Sequence, residues 1–327
     1  MRSIGKELLL SIVMGMVLPG MLLNFAVAVL EEDPMYAVLA EEEPTQETER
    51  QLEIVALPSK LRHEDGTTEE MDMDTYLVGV VLAEMPAYFE EEALKAQAVV
   101  ARTYTWKAHV TGGKHGDGSI CTKPSCCQAY ITEAAYLNQG GTREAVDKVR
   151  SCVNATSGYV LTYDGQLIEA TYFSCSGGST EDAVAVWGTD FPYLRSVSSP
   201  GEEGAAHYTD SVTFTKQQLE SILGVKLDDD SSRWFMDITE TAGGGVASAA
   251  VGGKTFSGVR LRSLLDLRST AFTVTPGEDC VTLTTRGFGH RVGMSQYGAD
   301  AMAVSGCAYP EILSHYYQGA VLSLAEP

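Results

Sequence analysis

The period at which apolar residues recur changes along this chain, and each change marks a part of it. Leu8 to Leu30 holds no charged residue. Its 23 positions, at 1.5 Å rise each, make about 35 Å of helix, enough to cross a bilayer. Residues 31–52 then turn acidic and poor in aromatics (Glu41, Glu42, Glu43, Glu47, Glu49). Such a stretch buries too little apolar surface to fold and reads as a solvated spacer. A folded region is expected over residues 53–327, opening on a short strand at Leu52–Leu57. Asp74-Thr75 then starts a helix through Tyr76–Ala83, which Pro86 must end, because the residue before a proline is pushed out of the α region. Ala93, Ala96, Val100 and Tyr104 recur at helical spacing within a second helix, about Glu90 to His109.

Beyond Val153 the period shortens. Tyr159–Tyr163 and Leu167–Phe173 read as strands joined at Asp164-Gly165, a hairpin signal. Residues 209–268 read as a smaller inserted domain: a helix near Lys216–Leu223, a Gly243-Gly244-Gly245 loop, a strand at Val246–Val251, a turn at Gly252-Gly253 and a helix at Gly258–Leu267. Strands at Ala271–Val274 and Cys280–Thr285, a glycine-rich turn and two helices close the chain. The pattern predicts an α+β fold, mixed helices and antiparallel strands, with a main domain and a smaller inserted one forming an open cleft.

Composition narrows the function classes. The chain has 327 residues, 44% hydrophobic and 20% charged, which excludes a wholly disordered or fibrous protein. Asp and Glu number 44 against 23 Lys and Arg, a net charge of −21, which repels phosphate backbones and argues against nucleic acid as a partner. Arg2 and Lys6 precede the apolar run and Glu31, Glu32 and Asp33 follow it. That asymmetry predicts a membrane anchor (residues 1–30) with its N-terminus inside and the remainder extracytoplasmic. Ala26-Val27-Ala28 also fits signal cleavage, although the run is longer than a usual signal core. Seven cysteines leave at least one free, bound to metal or paired between chains.

Glu84 is the first candidate for chemistry. It falls in the last turn of its helix, where unpaired carbonyls oppose ionisation of a carboxyl group, among the apolar residues Leu82, Met85 and Phe89. A carboxyl kept protonated near neutral pH is what a general acid requires. One carboxyl alone reads equally as an exposed helix-end glutamate. Ser174-Cys175-Ser176-Gly177-Gly178 lacks the G-x-S-x-G spacing of a serine-hydrolase elbow, and its hydroxyls and amides suit saccharide binding or a polar turn. Trp187 and Tyr193 suit stacking on sugar faces or core packing. His115, Cys121 and Cys127, with Cys126 adjacent, form H-x5-C-x5-C, which suits zinc or, outside the cell, a disulfide. Cys152, Cys175, Cys280 and Cys307 could pair in three ways.

The text around Glu84 is more specific. Tyr76-Leu77-x-Gly79-Val80-Val81-x-Ala83-Glu84-Met85-Pro86 and Glu92-Ala93-Leu94-Lys95-Ala96-Gln97-Ala98-Val99-x-Ala101-Arg102-Thr103-Tyr104 resemble the SpoIID/LytB domain family. So do Ser174-x-Ser176-Gly177-Gly178, Trp187-Gly188, Pro192-Tyr193-Leu194 and Arg286-Gly287-Phe288-Gly289-His290-x-Val292-Gly293-Met294-Ser295-Gln296-Tyr297-Gly298-Ala299. The resemblance implies a sporulation lytic transglycosylase acting in engulfment on peptidoglycan strands stripped of stem peptides. It also implies catalytic roles for Glu84 and Arg102, with the amidase SpoIIP and the membrane protein SpoIIM as partners. LytB-type relatives suggest instead a glycan-binding activator of an amidase. Substrate contacts are expected from Gln97, Ser174, Ser176, Tyr193, His290, Ser295 and Gln296, with Ser295 doubling as a helix N-cap. His115, Cys121 and Cys127 resemble the His/Cys zinc site that some members of the family carry, which implies a structural clamp unneeded for catalysis. Arg291 stands where the family usually has glycine, which predicts an altered turn and a positive charge at the cleft rim.

Overall fold

The computed structural model describes residues 58–325. The apolar run Leu8–Leu30, the acidic spacer and the expected strand at Leu52–Leu57 lie outside the described residues. Among the described residues no helix is long and apolar enough to cross a membrane.

The fold is α+β. A three-stranded sheet, ordered Thr68–Asp72, Pro58–Arg62, Ile120–Cys121, leads into helix α1, Met73–Glu84. Asp72 caps α1 by accepting from the Thr75 amide, and the helix begins at Met73, one residue before the expected start at Asp74. The far end stops as expected: Met85 is extended (φ −127, ψ 142) ahead of Pro86. Helix α2, Glu91–Thr111, is not merely amphipathic. Ala93, Ala96, Ala98, Val99, Val100 and Ala101 are all fully buried, so small side chains face neighbours on several sides and let them come close. A short helix α3, Glu133–Asn138, and a longer α4, Arg143–Ala155, follow, and Val146, Val149 and Val153 of α4 join the same core.

The hairpin at Asp164-Gly165 forms as its residues require, both at positive φ (48 and 73). The strand expected over Leu167–Phe173 is broken in two. Gln166–Leu167 pairs with Tyr159–Tyr163, while Tyr172–Phe173 turns away to pair in parallel with Met294–Ser295. A second apolar cluster gathers Phe214, Leu219, Trp234, Val251, Leu261, Val281 and Leu283, among others. It lies on two sheets: Phe235–Glu240, Val246–Val251 and Lys254–Ser257, and Phe272–Pro276, Cys280–Arg286 and Thr209–Thr215. The helix expected over Gly258–Leu267 ends at Leu264.

Candidate functional site

The end of α1, the segment 124–128, the turn 169–174 and the loop 287–290 enclose a cleft of about 960 Å³. Glu84 lines it. Its Oε1 accepts from the Ala129 amide at 2.7 Å, and Tyr172 and Gln296 also reach its carboxyl. Burial outweighs these contacts and holds the carboxyl above the ordinary glutamate range. Among the described residues no ion pair includes Glu84, so no cation pulls it back toward ionisation.

The expected site residues divide between the cleft and the wall behind it. Ser174, His290 and Gln296 line the cleft with Glu84. Nδ1 of His290 accepts from the Val292 amide at 3.1 Å, so the neutral ring carries its proton on Nε2. Burial, then the charge of Arg262, lowers its pKa to about 4. The residue is therefore a neutral donor at neutral pH. Its ring lies against Trp187 and Phe173. Trp187, 41% exposed, lines the cleft with a face available to a sugar.

Gln97, Arg102, Ser176, Tyr193 and Ser295 are not among the cleft-lining residues. Gln97 is fully buried and supports Gln296, whose Nε2 donates to Gln97 Oε1 at 3.5 Å. Ser176 is no sugar ligand here. Its amide and hydroxyl, and the Gly177 amide, all donate to the buried carboxylate of Glu202. The Tyr193 hydroxyl accepts from the Glu169 amide, and Ser295 is spent on capping, accepting from the Gly298 amide.

Arg102 is fully buried at the other end of α1. Nη2 donates to Asp74 Oδ1 at 2.9 Å and to the Val153 carbonyl at 3.2 Å, while Nη1 donates to the Tyr159 carbonyl at 3.2 Å. Asp74 lies ten residues before Glu84 on one helix, about 15 Å along its axis at 1.5 Å per residue. Arg102 therefore does not touch the reacting atoms. It joins α1, α4 and the strand that follows them.

Arg291 also differs from expectation. The charge predicted at the cleft rim is buried, with the side chain 2% exposed. Nη1 meets Glu181 Oε1 at 2.9 Å, and the other nitrogens donate to the carbonyls of Ser176, Ser179 and Gly243. The backbone turn, at φ 66, is the left-handed one that glycine favours. The substitution has kept the turn and filled the space behind it.

His115, Cys121, Cys126 and Cys127 bring one donor atom each within 4.8 Å of one another. Cys126 Sγ and Cys127 Sγ are 3.8 Å apart, and Cys127 Sγ is 3.5 Å from His115 Nε2. A tetrahedral site with bonds of about 2.3 Å has edges of about 3.8 Å, whereas a disulfide needs about 2.05 Å. The donor set therefore suits a closed zinc site of three thiolates and one imidazole. Cys126 as fourth donor was signalled only by its place beside Cys127. The turn at Lys123, whose carbonyl accepts from both Cys126 and Cys127 amides, aims both thiols the same way. All seven cysteines are unpaired by disulfide, with Cys152 and Cys175 buried.

Tyr172, Gln128, Glu169 and Arg262 line the cleft without any sequence expectation having named them. Glu169, the other carboxylate there, is tied to Lys107 at 2.5 Å.

Comparison with known proteins agrees with this geometry. The family model described as SpoIID, stage II sporulation protein, matches residues 62–163, the stretch that carries Glu84, Arg102 and the His/Cys cluster. Stage II sporulation protein D of Bacillus subtilis is 42% identical over 81% of this chain and 78% of its own length. The chain belongs to the SpoIID family. The stage II sporulation protein D of Bacillus amyloliquefaciens is 38% identical over the same shares. The amidase enhancer of Bacillus subtilis is 30% identical over 76% of this chain, which spans 40% of that relative.

Proposed function

We propose that this SpoIID-family chain is a lytic transglycosylase that cuts the β-1,4 bond between N-acetylmuramic acid and N-acetylglucosamine in peptidoglycan, with Glu84 as its acid and base. The observation that carries this reading is a single carboxyl with no ion pair among the described residues, held above the usual glutamate range, in the lining of a cleft of about 960 Å³. Glycosidases that add water generally use two carboxyl groups, the second delivering the water or attacking the sugar. Glu169, the other carboxylate of the cleft, is engaged by Lys107, and in this reading Glu84 acts alone. One group suffices when the substrate supplies its own nucleophile. Glu84 gives its proton to the leaving glycosidic oxygen. The resulting carboxylate takes the proton of the muramyl 6-hydroxyl as that oxygen bonds to C1, and a 1,6-anhydro end forms.

The Ala129 amide holds the carboxyl in place, and Trp187 offers a stacking face for the sugar. Zinc at His115, Cys121, Cys126 and Cys127 would be structural. It would clamp the segment whose Ala129 amide grips Glu84, two residues beyond the last thiol, and supply no chemistry to the reaction. On the resemblance to the family, we read the activity as part of engulfment, outside the membrane, with the amidase SpoIIP and the membrane protein SpoIIM as partners.

The test is mass analysis of products from purified full chain and denuded glycan: each cut should yield an anhydro end, one water lighter than a hydrolysed end. Chelation should lower the melting temperature and slow turnover only in step with unfolding. Turnover that stops at once in a still-folded protein would make the metal catalytic. The likeness to an amidase enhancer favours a second reading, a glycan-binding activator of an amidase. It expects binding without release of any sugar.

A further inference from the structure

A cation with no ion-pair partner among the described residues faces the same cleft. Arg262 sits on the helix Gly258–Leu264, half-buried, and lines the cleft with Glu84 and His290. Its Nε donates to the Leu267 carbonyl at 3.3 Å, which fixes the plane of the guanidinium. No hydrogen bond or ion pair to a described residue engages either Nη. The fully buried arginines behave differently: Arg102 has Asp74 and Arg291 has Glu181. Asp266, four residues on, is exposed and makes no ion pair with Arg262. Leaving a half-buried guanidinium without an anion is costly. In a chain with 44 acidic residues a partner was easily supplied. Lys114, the cleft's other cation, is spent on the Cys126 carbonyl and lies over the Tyr104 ring.

Building on the transglycosylase reading, we propose that Arg262 is a carboxylate subsite that takes the free lactyl group of a muramyl residue. A guanidinium with both Nη free presents the planar fork that a carboxylate matches with two parallel hydrogen bonds. The lactyl ether at O3 of each muramyl sugar ends in such a carboxylate only when its stem peptide has been removed. With the peptide attached that group is a neutral amide carrying a bulky chain. The subsite would therefore make the cleft select stripped strands, and the class of reaction that must supply its substrate is amide hydrolysis at the lactyl carbonyl.

The test measures equilibrium binding to full-length Glu84→Gln protein, which cannot turn over. The ligands are a muramyl-containing oligosaccharide with free lactyl carboxyls and the same sugar methyl-esterified. The acid should bind roughly 10- to 100-fold more tightly, the range of a charge-assisted pair. Adding Arg262→Met should bring both ligands to the ester's affinity, and Arg262→Lys should restore part of the preference. An unchanged acid-to-ester ratio in Arg262→Met, with an unaltered melting curve, overturns the subsite. Preference without anhydro products from the unmutated chain sinks the transglycosylase reading and leaves the subsite standing. Lost preference with products still formed does the reverse, and binding of neither sugar removes both.

Discussion

The two ends of α1 each present a carboxyl group, and their surroundings give them opposite work. Asp74, in the first turn, is satisfied by Arg102 and by the Ser157 hydroxyl. It also sits at the positive end of the helix dipole. Glu84, in the last turn, meets the negative end, no cation, and enough burial to raise its pKa. One end is a joint and the other the proton donor of the proposed reaction. A carboxyl side chain becomes chemistry only where its charge has been left uncompensated.

That contrast can be broken most severely at the catalytic end. Glu84→Gln should lower turnover on denuded glycan by roughly 10²- to 10⁴-fold, about 3–5 kcal/mol at 1.36 per decade. The same change should stabilise the fold near neutral pH. A carboxyl whose folded pKa is raised contributes stability below its unfolded value of 4.5, and that contribution is lost as pH rises through the folded value. Thermal melts at pH 5 and pH 7.5 check the sign. A variant destabilised at both would make Glu84 structural.

At the other end, Arg102→Met should strand Asp74 and two carbonyls and cost about 3–5 kcal/mol. Arg102→Met with Asp74→Leu should recover much of that loss, because removing both charges of a buried pair is far less costly than removing one. Turnover should return with folding. A double variant that folds fully yet stays inactive would put Arg102 into the chemistry after all.

The loop after His290 offers a smaller test. Arg291→Gly should relieve about 1 kcal/mol of left-handed strain but leave Glu181 buried and unpaired, at about 3–5 kcal/mol. The net expectation is a loss of about 2–4 kcal/mol by chemical denaturation. A stabilised variant would show that the ion pair contributes nothing.

Smallest is the effect of His290. Its depressed pKa keeps stability intact above 6.5 and loses it as pH falls toward about 4. His290→Gln should flatten the stability profile in that window by at most about 1 kcal/mol per pH unit. An unchanged slope would mean the ring titrates normally.

Much of this was legible in the chain itself. The periodicity gave α1 and α2, Pro86 ended one, Asp164-Gly165 turned a hairpin, and Ser295 capped the helix it precedes. These are local outcomes, decided within a few residues by sterics and nearby hydrogen bonds. Glu84 stood out in one short segment, where helix end, proline and apolar neighbours meet, but only the family resemblance turned it from an exposed helix-end glutamate into a candidate acid. The parallel pairing of Tyr172–Phe173 with Met294–Ser295 was not legible, because its partner is more than a hundred residues away.

The identities of Arg102, Ser176, Arg291 and Arg262 said that each was polar and could bind something. Whether each meets a buried carboxylate or an open cleft depends on what packs against it from distant parts of the chain. Asp74, Glu202 and Glu181 claimed the first three, and no carboxylate among the described residues claimed the fourth. Short-range geometry is written in order along a chain, but electrostatic partnership is settled by proximity in space, and only the assembled core decides that.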